Sequence, residues 1–149
     1  MPADGLSLEL TRVFPAPRAR VFEFFAGAAL LAEWWGPRGF NIPSIDFVPR
    51  VGGTYRIEMQ PPDGDAFELT GTFREVDIPS RLAFTFEWEP ADPDDEETVA
   101  QLALEVTDDS TRVQLRQGPF KTEARRALHR DGWTESFDKL AELVTEERR

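Results

Sequence analysis

The sequence predicts an α+β domain in which a run of antiparallel strands is closed by one long C-terminal helix. Three observations predict it. From about residue 41 to residue 117, apolar and polar residues alternate with a period of two, interrupted by tight-turn residues. Beyond that the period becomes three and four: His129, Gly132, Trp133, Ser136, Phe137, Leu140 and Val144 form one stripe of a helix running from about Thr122 to Val144. Finally, only this last helix is long enough to cover the inner face of the sheet. The order strand, two short helices, about six strands, long helix belongs to the α+β class.

Each element follows from local chemistry. Leu6, Leu8 and Leu10 alternate with Ser7, Glu9 and Thr11 in a half-buried strand. Pro15 and Pro17 end it, and Pro17 suits the first turn of a helix, where its missing N–H has no partner to lose. That helix runs through Val21, Phe22 and Phe25 until Gly27. A second short helix carries Leu30, Leu31, Trp34 and Trp35, and Gly36–Pro37 stops it. Strand-like pattern then begins near Asn41 with Ile45 and Phe47. After the Gly52–Gly53 turn, Tyr55, Ile57 and Met59 alternate with Arg56, Glu58 and Gln60. Pro61–Pro62–Asp63–Gly64 is a hairpin signal, and Phe67, Leu69, Gly71 and Phe73 alternate with Glu68, Thr70, Thr72 and Arg74. Asp77, Pro79 and Ser80 turn the chain into Phe84, Phe86 and Trp88. The last strands carry Leu102, Leu104 and Val106, then Val113 and Leu115, and Gly118–Pro119 is expected to end the sheet. Glu123 near the start of the long helix and Arg148–Arg149 beyond its end suit the helix dipole.

Composition limits what such a domain does. A chain of 149 residues makes one domain, here spanning residues 1–149, and buries roughly 70% of the surface its unfolded form exposes. Its 12 Phe and 4 Trp concentrate the apolar surface in large rings, which fill cores and also line pockets. A net charge of −11 repels phosphate backbones and anionic lipid, so neither nucleic acid nor membrane is an expected partner. There is no cysteine and only one histidine, which excludes disulfides, thiolate chemistry and a multi-histidine metal site within one chain. Gly52–Gly53 lacks the glycine pattern and lysine of a phosphate loop, and no cofactor or metal is expected. No basic, apolar N-terminal segment suggests a signal peptide or spanning helix, and the expected location is cytoplasmic. Asp92, Asp94, Asp95, Glu96 and Glu97 form an acidic run between Pro90 and Thr98. It reads as a solvated hairpin loop, and it lacks the ligand spacing and central glycine of a good calcium loop.

The stripe of the long helix is unusual for a core face, because it carries a glycine, a serine and the sole histidine. A helix closing over a partly hollow sheet tolerates that mixture, and the chain reads as a container for something apolar. The expected lining comprises Trp34, Trp35, Phe40, Tyr55, Ile57, Met59, Leu69, Phe73, Phe84, Phe86, Trp88, Leu102, Leu104, His129, Trp133 and Phe137, with Leu115 a further inner-face position. Each of these is also explained as plain core, and a register slip of one residue would invert a strand's faces. Of Trp34 and Trp35, one ring is expected to plug the core while the other rests on the surface or walls the cavity mouth. His129 is open to three readings: a hydrogen-bonded structural histidine, a polar contact for a ligand, or a general acid or base without an evident partner. Gly132 is either a point of close approach or a source of cavity volume, and Ser136 is a small packing residue. Arg56, Glu58, Glu68, Thr70 and Arg74 occupy the wet face as cross-strand pairs.

Several short motifs, in this order and spacing, carry a family resemblance. They are Phe14–Pro15–Ala16–Pro17 with Val21–Phe22, Trp34–Trp35–Gly36–Pro37, Asp46 with Arg50–Val51–Gly52–Gly53, and Pro62–Asp63–Gly64. Pro79 with Arg81–Leu82, Thr85–Phe86–Glu87–Trp88 and Gly132–Trp133 complete them. Together they span nearly the whole chain, which resembles the SRPBCC (START-like, Bet v-like) superfamily and, within it, the branch named after the activator of the heat-shock-protein-90 ATPase. The resemblance implies a helix-grip fold: a curved antiparallel β-sheet wrapped around a long C-terminal helix, with two short helices after the first strand and a cavity between sheet and helix. It implies binding of a small hydrophobic or amphipathic ligand; in this chain the short helices and the loop around Gly36–Phe40 are expected to gate access. A cyclase- or hydrolase-type enzyme using the same cavity, and a chaperone-regulating or stress-related interaction module, are the other roles it implies. The activator that names the branch has an additional N-terminal chaperone-binding domain, for which this sequence leaves no room. The sequence leaves open a homodimer and an unnamed protein partner.

Overall fold

A computed structural model describes residues 6–147. The chain runs β1 (Leu6–Phe14), α1 (Arg18–Ala26), α2 (Ala28–Ala32), β2 (Asn41–Phe47), β3 (Thr54–Gln60), β4 (Phe67–Asp77), β5 (Arg81–Glu89), β6 (Thr98–Thr107), β7 (Ser110–Phe120) and α3 (Glu123–Glu147). The strands form one open antiparallel sheet in the order β1-β7-β6-β5-β4-β3-β2. Strands β2 to β7 are a meander, and β1 joins the far side of β7, so β1 and β2 are the edges. With its long C-terminal helix and the two short helices after β1, this is the helix-grip α+β fold.

Local chemistry sets most boundaries. The Pro17 carbonyl accepts the N–H groups of Arg20 and Val21, both at 3.0 Å, and opens α1. Gly27 ends α1 and begins α2. Helix α2 stops at Ala32, so Trp34 and Trp35 lie in the turn behind it rather than within it, their N–H groups bonded to the Leu31 carbonyl. At the start of α3 the Thr122 hydroxyl accepts the Arg125 N–H at 3.1 Å, a side-chain cap, and Glu123 occupies the first turn. Arg148–Arg149 lie outside the described residues.

Two sequence expectations need correction. Gly118–Pro119 does not end the sheet: Leu8 pairs with Gln117 and Leu6 with Phe120, so β7 bulges there and continues. A bulge is one of the few places in a sheet where a proline's missing N–H is tolerated. Val106 keeps the alternation but is 61% exposed, because it sits beside the β6–β7 hairpin tip at Thr107 and Ser110.

Helix α3 runs parallel to β1. Arg126 donates to the Ser7 carbonyl, Arg130 to the Glu9 carbonyl, and Arg12 pairs with Asp138 at 2.7 Å. Five strand steps cover about 17 Å and twelve helix steps about 18 Å, so the two elements stay in register. The two halves of α3 then meet different surroundings. In the C-terminal half, Phe137, Leu140 and Val144 are fully buried, and Phe137 meets Phe14 edge-on at 5.6 Å and Phe25 at 6.2 Å. Here α1 and the turn bearing Trp34 fill the space between helix and sheet. Trp34 is completely buried, and its indole N–H donates to the Phe24 carbonyl at 3.0 Å. The N-terminal half has no short helix beside it.

The sheet itself is tightly packed at one crossing. Tyr55 lies over Gly71 and donates its hydroxyl to the Thr85 carbonyl at 2.6 Å, and burial pushes the phenol pKa up. A methyl group at Gly71 would stand 2.0 Å from the Thr85 carbonyl oxygen and 2.5 Å from the Tyr55 ring. Gly71→Ala should therefore cost about 3 kcal/mol, the upper end of overpacking effects. Urea unfolding will show it as a lower midpoint with an unchanged slope.

Candidate functional site

A cavity of about 430 Å³ opens between the N-terminal half of α3, strands β3 to β5 and the turn after α2. Its walls are rings: Trp35, Phe40, Phe67, Phe86, Trp88 and Trp133, with Met59 and Leu128 between them. The rings brace one another edge-on. Trp35 meets Trp133 at 5.2 Å, Phe86 meets Trp88 at 5.3 Å, and Phe67 meets Trp88 at 5.4 Å. Such contacts hold the walls in place beyond simple burial.

Two polar clips suspend α3 over this half of the sheet. The Trp88 indole N–H donates to His129 Nε2 at 2.9 Å, and His129 Nδ1 donates to the Arg125 carbonyl at 2.8 Å. This pairing leaves the proton on Nδ1 and keeps the imidazole neutral. Burial holds its pKa below the ordinary histidine value, against weaker upward pulls from the Arg125 carbonyl and Asp95. In the second clip, Trp133 donates to Gln117 Oε1 at 2.7 Å, and the Gln117 amide donates to the Thr98 hydroxyl at 2.8 Å. Gln117 is completely buried, and this chain satisfies it.

The sequence-predicted residues divide between two places. Trp35, Phe40, Met59, Phe86, Trp88, His129 and Trp133 line the cavity. Tyr55, Ile57, Phe73, Phe84 and Leu102 instead surround a void of about 20 Å³, little more than one water, which Phe25, Leu31 and Phe47 help to close. Trp34, Leu69, Leu104, Leu115 and Phe137 are plain core. The short helices help to close the void, since Phe25 of α1 and Leu31 of α2 stand in its lining. Neither Trp34 nor Trp35 rests on the surface, since Trp35 is 7% exposed. Gly132 is not a point of close approach, because nothing lies within 4 Å of a Cβ placed there, and its missing side chain borders the cavity. Ser136 turns its hydroxyl back to the Gly132 carbonyl at 2.9 Å and also lines the space.

Other lining residues escaped the sequence reading. Phe67 stands in phase with Leu69 and was recognisable as inward; so was Gln117, in phase with Val113 and Leu115, although Gln117 lies outside the lining and holds Trp133. Asp65, Asp92, Asp95 and Arg125 carry no such signal, because loops and the helix start bring them together from afar. The acidic loop is not simply solvated. Arg125 binds Asp92 at 2.6 Å and Asp95 at 3.4 Å, the Asp95 carboxylate also accepts the Asp92 N–H, and Lys121 donates to the Pro93 carbonyl. Glu96 and Glu97 remain exposed. Among the described residues no group of three or more His, Asp or Glu could hold a metal ion. On the outer face Arg56 pairs with Glu68 and Glu89, and Ser44 bonds Glu58. The loop Gly36–Phe40 is latched to α3: the Arg38 N–H donates to Glu135, its guanidinium pairs with Glu142 at 2.5 Å, and Lys139 reaches the Trp35 carbonyl.

A family model described as "Activator of Hsp90 ATPase homolog 1-like protein" matches residues 15–145. The fold is similar to several solved structures. A protein from Chromobacterium violaceum is 26% identical with a TM-score of 0.85, over 93% of this chain and 96% of that one. A protein bearing the same family name from Silicibacter pomeroyi is 27% identical with a TM-score of 0.84, over 95% and 99%. One from Nitrosomonas europaea is 28% identical with a TM-score of 0.81, over 99% of each chain. No curated protein matches the sequence significantly. Among the described residues no helix is long and apolar enough to cross a membrane.

The neutral His129 makes stability depend on pH in a defined direction. Its folded pKa lies below the unfolded value of about 6.5, so the unfolded chain takes up the proton first. Its contribution is complete above about pH 6.5 and is lost as pH falls towards the folded pKa. His129→Gln, which still accepts from Trp88, should show a shallower loss of stability than the native chain between about pH 7 and pH 5.5. Denaturant midpoints measured across that window will test it. Gly132→Ala should raise stability by about 1 kcal/mol, since alanine favours the helix and meets nothing there.

Proposed function

We propose that this chain, which belongs to the activator of Hsp90 ATPase homolog 1-like family, carries a small apolar or amphipathic molecule in the space between β3–β5 and the N-terminal half of α3. The observation that carries this reading is the cavity of about 430 Å³, walled by braced aromatic rings and bordered by a glycine with open space in front of it. That volume lies within the range of small-molecule sites, and its few polar groups among apolar walls match their usual make-up. Burial of a ligand there contributes about 25 cal/mol per Å² of apolar contact, less the costs of association. Loop Gly36–Phe40 is the gate in this reading: Arg38 latches it to α3 through one exposed ion pair and one exposed hydrogen bond, both weakened by solvent.

The same geometry argues against making His129 a general acid or base. Both of its nitrogens are engaged by Trp88 and by the Arg125 carbonyl, so taking a proton would break the clip that holds the helix. In this reading His129 is a wall, not a reagent.

Gentle purification followed by native mass spectrometry tests the proposal. An adduct reproducibly bound at one per chain, recovered by organic extraction, is expected. Gly132→Leu, which places a side chain in the cavity without touching the core, should remove the adduct while the fold survives. A bare native chain that also fails to bind apolar probes would sink the reading.

A further inference from the structure

The floor of the cavity and its rim differ in kind. The floor is aromatic and buried. The rim is made by Asp65 ahead of β4, by Asp92 and Asp95 in the β5–β6 loop, and by Arg125 in the first turn of α3. Three carboxylates thus face one guanidinium, and that guanidinium is already bound to both Asp92 and Asp95. Asp65 has no ion pair or hydrogen bond among the described residues and is exposed. No other lining residue supplies a positive charge: His129 has both nitrogens engaged, and Lys139 and Arg38 lie outside the lining. The positive end of the α3 dipole is answered by the Thr122 cap and by Glu123. An anionic head entering here would find no free cation and a net negative rim.

A cationic head meets the opposite situation. The rim supplies carboxylates, the walls supply ring faces that attract cations, and the net charge of −11 raises the local concentration of cations around the molecule. One further group addresses the body of the ligand. The indole N–H of Trp34, Trp88 and Trp133 each has a protein acceptor, but that of Trp35 has none. No fully buried side-chain nitrogen or oxygen among the described residues lacks a partner, so this donor opens onto accessible space, and its ring borders both the cavity and the small void beside it. It suits an uncharged oxygen on the ligand.

We infer that the cavity selects by charge: it takes molecules with an aromatic or otherwise apolar body and an ammonium-type head held at the rim of Asp65, Asp92 and Asp95, and it disfavours carboxylates such as fatty acids. The inference rests on the proposed container function and narrows it to one ligand class.

Three probes sharing one ring system test it: 2-naphthylmethylammonium, 2-naphthylmethanol and 2-naphthoate, titrated calorimetrically at neutral pH and low salt. The ammonium should bind most tightly and the naphthoate most weakly, with about tenfold or more between them. Added salt should narrow that gap, and Asp65→Lys, on an exposed loop, should narrow or reverse it. Gly132→Leu should abolish binding of all three. Equal affinities, or naphthoate binding best, would overturn the charge assignment and leave the container standing. No binding by any probe, or binding indifferent to Gly132→Leu, would overturn the container reading and this inference with it.

Discussion

Everything at the open end of this molecule depends on α3 staying over the sheet where no short helix supports it. Two indole donors hold it there, Trp88 to His129 and Trp133 to Gln117. The first is partly buried and the second buried; each contributes about 1 kcal/mol net, but losing one partner strands the other and costs more. Bonds of this kind fix a distance and an angle, which apolar packing does not. They let the helix stand off the sheet at a set height, so that space beneath it need not collapse. The price is a histidine that must stay neutral, since a proton on Nε2 would face the Trp88 N–H.

The cavity follows from an unequal division of filler. Helix α1, with the turn carrying Trp34, occupies one end of the sheet–helix space, and Phe25, Trp34 and Phe137 pack there ring against ring. At the other end the filler is absent, and the walls are large stiff rings that cannot rearrange to close a gap as aliphatic chains might. Gly132 leaves out a side chain that would have projected into the gap from the helix. The acidic loop, drawn to the helix start by Arg125, completes the rim rather than covering the opening. Family membership accounts for the frame, but frames of this kind host many roles, and the role is argued from the rings and charges of this chain.

Sequence alone determined the alternation, the turns and the long helical stripe, and with them the α+β frame and the strand order in the chain. These are local quantities: a period of two or of three to four, a proline that cannot donate, a glycine pair that turns. The inward phase of Phe86, Trp88, His129 and Trp133 was legible for the same reason. Tertiary structure alone decided which inward residues meet a void and which meet Phe25 or Trp34, because alternation assigns a face but not a position along the helix. Tyr55 and Trp88 read alike in sequence, yet one lies over Gly71 in filled core and the other walls the cavity. The meeting of Trp88 with His129, 41 residues apart, and of Arg125 with Asp92, 33 residues apart, was likewise invisible, since no local pattern encodes a contact made by the closure of the whole sheet.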